Sequence, residues 1–305
     1  MSDNPQIHTT KNSNMTNQIK LVILAASLVV LPALVSAQPT AHYVPGVEGI
    51  KGASLPPPGV YLRDYNVFYL ANRVNDASGN EINPADPDVF IYANVPRLIW
   101  ITETKVLGGF LGVDALLPLQ YTSLEVGPFD DSNFGIGDVF AEGTLSWHLP
   151  RFDFSFGCGT WMPTGESDEL ADAGLGYWSP MLTAGATWYI DKNKKWAVSA
   201  LNRYEFNTEQ RDTDITPGQA YTLEWGMSYA LKPTIDVGAV GYYQLQTTSD
   251  SGPNSNRDQV VAFGAEVNAV CPKLGLITSL RYLYEVSSQD RLQGQTICLT
   301  LTKRF

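Results

Sequence analysis

The sequence predicts an all-β chain: a transmembrane antiparallel up-and-down β-barrel of about twelve strands behind an irregular N-terminal segment. Three observations predict it. Residues 106–121 and 134–149 are two sixteen-residue stretches that alternate strictly between an apolar and a polar parity. The first places Leu107, Leu111, Val113, Ala115, Leu117 and Leu119 on one face, and the second places Gly135, Gly137, Val139, Ala141, Leu145 and Trp147 there. Period-2 alternation gives a strand two unlike faces. Strands of soluble sheets usually stop at about 5–6 residues, whereas a barrel wall in lipid needs longer ones. The connections also alternate, short ones at 103–105, 150–151, 191–195, 232–234 and 271–275 against long polar ones near 74–87, 122–133, 164–176, 207–218, 247–258 and 287–293. Finally, Ile297, Leu299, Leu301 and Phe305 share one parity of a last strand that ends the chain on Phe305.

Residues 1–37 read as a secretory signal peptide. Lys11 and Lys20 precede the apolar run Leu21–Leu34, and Val35-Ser36-Ala37 supplies small residues for cleavage before Gln38. The run is too short to span a membrane as a helix, which takes about 20 residues. Met15 as well as Met1 could begin this leader. Residues 38–58 hold Pro45, Gly46, Gly49, Gly52 and the run Pro56-Pro57-Pro58 without a usable period. Three prolines cannot pair inside a sheet, so this stretch is either a periplasmic tail or a plug folded into the barrel mouth.

The barrel proper is read over 59–305, with strands near 60–73, 88–102, 106–121, 134–149, 152–163, 177–190, 196–206, 219–231, 235–246, 259–270, 276–286 and 294–305. The first two leave the facing open, because Arg63 and Asp64, and likewise Asn94 and Arg97, fall on opposite parities. An even strand count puts both ends of the barrel on the short-turn side and the long loops outside the cell.

Composition narrows the function. Loss of 1–37 removes Asp3, Lys11 and Lys20 and leaves 18 basic against 30 acidic residues, net −12, which argues against a nucleic-acid partner. The six long connections carry 16 acidic and three basic residues, suited either to cation-bridged lipopolysaccharide or simply to solubility. Cys158, Cys271 and Cys298 follow no metal-ligand spacing and cannot all pair within the chain. No cofactor and no metal site is expected.

Catalysis finds little support. His42 and His148 are the two histidines beyond the leader, and no Gly-x-Ser-x-Gly elbow occurs. His148 reads as a solvated histidine near the rim. What remains is the lumen, toward which parity turns Asp114, Asp138, Glu142, Arg203, Glu205, Glu224, Glu266, Arg281 and Glu285. Charges on the lipid face would cost up to about 2–4 kcal/mol for Lys or Arg and less for acids. These nine either line a transport path or pair across strands, Arg203 with Glu224 and Arg281 with Glu266, and fill a narrow barrel. A twelve-stranded barrel lies between packed and open ones in width.

A set of short motifs runs through most of the chain. They are Ala41–Gly59 leading into Tyr61–Tyr65, Asn94–Trp100, Gly137-Asp138, Pro163–Gly165, Arg203–Glu205 and Pro217-Gly218. In this order they resemble the outer-membrane proteins of the meta-pathway of phenol degradation family. The resemblance implies an outer-membrane barrel that passes small, often aromatic or hydrophobic, organic compounds, without enzymatic activity and without catalytic residues to carry over. The expected partners are outer-membrane lipid and lipopolysaccharide, small organic solutes and, through the strand ending in Phe305, the barrel assembly machinery. A structural or surface-interaction barrel with a closed lumen is the alternative.

Overall fold

The computed structural model describes residues 41–82, 87–127, 129–211, 213–252 and 257–305. The expected leader, with its choice of Met1 or Met15, lies outside the described residues. Fourteen strands follow in chain order: β1 (Gly59–Asn75), β2 (Asp88–Val106), β3 (Gly109–Leu116), β4 (Leu119–Val126), β5 (Phe129–Ile136), β6 (Val139–His148) and β7 (Phe152–Met162). The second half holds β8 (Ser179–Tyr189), β9 (Trp196–Glu205), β10 (Ala220–Lys232), β11 (Ile235–Gln246), β12 (Gln259–Cys271), β13 (Leu276–Gln289) and β14 (Arg291–Arg304). All pairings are antiparallel, and β1 bonds β14 on one side and β2 on the other, which closes the sheet. The chain is a closed antiparallel β-barrel of twelve wall strands, because β3 with β4, and β5 with β6, are each one wall strand in two pieces.

Prolines make the first interruption. Arg97 pairs with Leu116 and Asn94 with Leu119, so the register of β2 runs unbroken past Pro96 and Pro118. Proline has no N–H to give to a ladder. Leu117 N–H still donates to the Pro96 carbonyl at 3.2 Å, and nothing returns the bond. The second interruption is a bulge. Leu119 pairs with Ile136 but Leu116 with Phe140, so one extra residue is absorbed at Gly137-Asp138.

That bulge corrects the sequence reading of 134–149 as one continuous face. Across it the parity flips: Phe134 and Ile136 are exposed to lipid and Gly135 faces inward, whereas Val139, Ala141 and Leu145 keep the outward parity expected for them. The expected loop at 122–133 is also replaced. β4 and β5 run through most of it, with a turn at Gly127, and the expected loop at 287–293 shrinks to a turn at Asp290. Polar residues misled there because wall strands that project beyond the bilayer need no apolar face. A tight turn at Leu107-Gly108, both with positive φ, joins β2 to β3 in place of 103–105.

The facing of β1 and β2 is now fixed. Arg63, Tyr65 and Arg97 turn inward, while Asp64, Asn66 and Asn94 lie on the outer side, tied to one another by the Asn94 amide donating to Asp64 at 2.9 Å and the Asn66 amide at 3.0 Å. Elsewhere the outer face is apolar, with Leu98, Trp100, Val113, Phe156, Leu182 and Leu280 exposed. The polar residues of a soluble surface are here inside, as the fold demands.

Candidate functional site: the lumen

The lumen is occupied by the chain's own N-terminal part. Residues 41–58 enter the barrel and return to β1 through Pro56-Pro57-Pro58. Two glycines let the backbone approach the wall closely. A β carbon at Gly46 would stand 2.4 Å from Leu283 Cδ1, and one at Gly49 would stand 1.8 Å from Glu266 Oε2, and both residues hold positive φ.

Irregular backbone inside a barrel must find partners for its N–H groups. The inward acids supply them. Glu205 accepts from the backbone N–H of His42 at 3.1 Å and of Tyr43 at 3.2 Å. Glu224 accepts from Gly46 N–H at 2.7 Å and from the Tyr43 hydroxyl at 2.5 Å, and Glu266 accepts from Ile50 N–H at 2.7 Å. Arg281 closes the set by donating to the Gly46 carbonyl at 2.8 Å and to Glu266 at 2.9 Å. Charged acceptors make these bonds stronger than neutral ones.

At mid-height the polarity is reversed. Glu48 belongs to the inner segment and its partners belong to the wall: Arg63 at 2.8 Å, Arg97 at 2.9 Å, Arg203 at 3.6 Å and the Tyr65 hydroxyl at 3.0 Å. Burial works against its charge, but the three guanidiniums, with the Tyr65 hydroxyl, hold the Glu48 carboxyl down at about 2. Arg97 also forks onto Asp114 through Nε at 2.8 Å and Nη2 at 3.0 Å, and reaches Glu142 at 2.7 Å. Arg203 pairs with Glu224 at 2.7 Å and lies 3.9 Å from the centre of the Tyr43 ring. Glu285 stands toward the long-loop end and accepts from the hydroxyls of Tyr69 at 3.0 Å and Tyr242 at 2.8 Å.

Asp138, at the bulge, joins three parts of the molecule. Its carboxylate contacts His42 Nε2 of the inner segment at 2.9 Å and accepts from the backbone N–H groups of Gly165 at 2.9 Å and Leu175 at 2.8 Å in the connection after β7. His42 Nδ1 lies 2.9 Å from Ser179 Oγ, so Ser, His and Asp come together in a row. The row cannot work as a nucleophile: Ser179 is wholly buried and gives its proton to Asn207 at 2.6 Å. It is an anchor.

All nine inward residues expected from parity thus lie on the inner face, in three groups: Asp114, Glu142 and Arg203 around Glu48; Glu205, Glu224, Glu266 and Arg281 along the inner segment; Asp138 and Glu285 toward the long-loop end. Alternation missed Arg63, Arg97, His42 and Glu48. The signal available for Glu48 was that 38–58 holds one acidic residue.

The inner segment divides the free space in two. Toward the long-loop end a cavity of about 280 Å³ is lined by apolar groups, among them Val67, Ile91, Leu124, Phe140, Trp161 and Met181, with Leu170–Leu175 bordering it. Toward the short-turn end a cavity of about 320 Å³ has a mixed lining, with Thr144, Ser155, Thr183 and Ser279 beside Ile50, Leu55, Ile99 and Leu201. Glu48, Arg97, Glu142 and Arg203 border both.

The chain matches over residues 71–301 the family described as "Putative MetA-pathway of phenol degradation". Among solved structures it is similar to an outer membrane channel from Pseudomonas putida F1, with a TM-score of 0.74 and 15% identity over 86% of this chain and 100% of that one. Weaker likenesses are the β domain of the Bordetella autotransporter BrkA (TM-score 0.49, 13% identity, 82% of this chain and 100% of that) and the translocator domain of NalP from Neisseria meningitidis (0.48, 10%, 83% and 91%). No curated protein sequence matches the chain.

Proposed function

Because the chain belongs to the meta-pathway of phenol degradation family, and shares its fold with an outer membrane channel, we propose that it is an outer-membrane channel for the passive uptake of small hydrophobic or aromatic organic compounds. The observation that carries the solute class is the apolar cavity. The chamber at the long-loop end is walled mostly by aliphatic and aromatic side chains, with charged and amide groups at its border. An apolar cavity of about 150 Å³ takes up a benzene ring, so the space of about 280 Å³ suits a substituted single ring. The nine inward residues then serve transport by holding the inner segment beside the path. No chemistry is asked of the protein, since movement down a gradient needs only a route.

The test is uptake of a labelled substituted benzene at low outside concentration, by a strain lacking the protein and by its complemented counterpart. Faster uptake in the complemented strain is expected, and equal rates would sink the proposal. A barrel with a closed lumen is the second reading, favoured by the inner segment across the bore. It predicts no conductance for the intact protein in planar bilayers, where a channel gives a measurable one.

A further inference from the structure

Among the described residues, the charged side chains of the wall strands face the lumen or stand near strand ends, with Asp64 as the exception. It lies half-buried on the outer face of β1 beside Asn66, and both touch Asn94 on β2. Phe90 and Trp100 bracket this cluster on the same face of β2, ten residues apart. At about 3.3 Å per residue and a tilt of roughly 40°, they span about 25 Å of height, the whole apolar band. Asn94 falls between them, at lipid depth. Apolar neighbours surround it: Asn66 pairs with Leu299, and Leu62 pairs with Leu98 one step nearer the short-turn end.

Hydrocarbon offers no hydrogen-bond partner, so polar groups at this depth are costly and belong where other protein meets them. The cluster satisfies most of itself. One oxygen of Asp64 accepts from the Asn66 amide at 3.0 Å and the other from the Asn94 amide at 2.9 Å, which fixes how both amides are turned. The Asn66 oxygen accepts from the Tyr92 hydroxyl at 2.9 Å and the Asn94 amide at 3.2 Å. One N–H of Asn66 and the amide oxygen of Asn94 are left over, met by nothing among the described residues. This donor and this acceptor stand side by side, because Asn66 and Asn94 pair directly across β1 and β2. The surface is therefore self-complementary. A two-fold axis along the membrane normal sets Asn66 of one copy opposite Asn94 of the other, and the reverse, so each leftover group finds its match. A cationic partner has less to gain, since each oxygen of Asp64 already holds a donor. We propose that the outer face of β1 and β2 is the contact between two copies of this chain, with Asn66 and Asn94 as its reciprocal pair and Leu62 and Leu98 packing beside them. The contact needs only the barrel in its membrane, and stands whether or not the lumen conducts.

The test uses the full protein in phospholipid vesicles, in a background with Cys158, Cys271 and Cys298 replaced by Ala. Asn66→Cys and Asn94→Cys proteins are reconstituted separately and as an equal mixture, then oxidised. The two-fold pairing predicts cross-linked dimer in the mixture and little in either protein alone. Met227→Cys, exposed on β10 across the barrel, reports chance collisions. In a second measurement, energy transfer between labelled copies is followed as the protein-to-lipid ratio rises. Asn66→Leu with Asn94→Leu should raise the half-maximal ratio by about tenfold, the worth of two hydrogen bonds inside a membrane. Heat-dependent gel migration verifies that each variant is a folded barrel. A mixture no richer in dimer than the Met227→Cys control overturns the proposal. Dimer as abundant in the separate proteins as in the mixture overturns the reciprocal pairing. Energy transfer that the leucine variant leaves unchanged overturns it too, and assigns this face to lipid or to a different protein.

Discussion

Glu48 concentrates the electrostatics of the lumen at one side chain. Asp114, Glu142 and Glu224 also neutralise Arg97 and Arg203, but Glu48 alone lies on the segment that crosses the bore. Breaking a buried ion pair from one side costs about 3–5 kcal/mol when the remaining charge keeps no partner, and loss of Glu48 takes from Arg63 its acid while Arg97 and Arg203 keep theirs. Glu48→Gln is therefore expected to loosen the segment and raise the mean current and its fluctuation at neutral pH. The acid dependence has a definite sign. With a carboxyl held near 2 in place and 4.5 as its ordinary value, docking is fully supported above 4.5 and weakens as pH falls toward 2. Wild-type current should rise across that window, and the Glu48→Gln current should show no such step. Currents of wild type and variant that rise alike would place the acid sensitivity on another carboxylate.

Among the elements, β2 to β6 behave differently from the rest of the wall. Pro96 and Pro118 withhold two ladder donors, and the Gly137 carbonyl opposite Pro118 is met by the Thr164 hydroxyl at 3.3 Å. Pro118→Val returns an N–H to that carbonyl. A net gain of about 0.5–1.5 kcal/mol is expected for the restored bond, read as a higher urea midpoint for unfolding from lipid vesicles; an unchanged or lower midpoint would show that the carbonyl is already satisfied. How legible each element was follows from its physics. Alternation exposes a residue's side whenever lipid and lumen differ, which is why Asp114, Glu142, Arg203 and Glu266 could be placed inside from parity. It failed at Phe134 and Ile136, because a one-residue bulge reverses parity without a compositional trace. It was mute on Arg63 and Arg97, because Asp64 and Asn94 put polar groups on the opposite face too. The path of residues 41–58 had no period to read, since its order comes from carboxylates far away in sequence.

For the whole molecule the question is whether the segment inside the barrel is a stopper or a fixed liner of the path. The Ala53 N–H donates to Ser199 Oγ at 3.2 Å, which sets the two residues side by side and makes them the pair to replace by cysteines. Ala53→Cys with Ser199→Cys, in a background lacking Cys158, Cys271 and Cys298, locks the segment to β9 when oxidised. If the segment lines the path, oxidised and reduced protein should conduct alike, and deletion of 41–58 should raise conductance several-fold by opening the bore while abolishing selectivity among the solutes. If it is a stopper that swings out, oxidation should silence the channel and reduction should restore it. The distribution of bonds favours the liner. A stopper is cheap to release, but this segment gives backbone N–H groups to carboxylates on three strands and takes its one acid to three arginines, so its departure would bare charges on both sides of the bore at once. Loss of current on oxidation, regained on reduction, would overturn that argument.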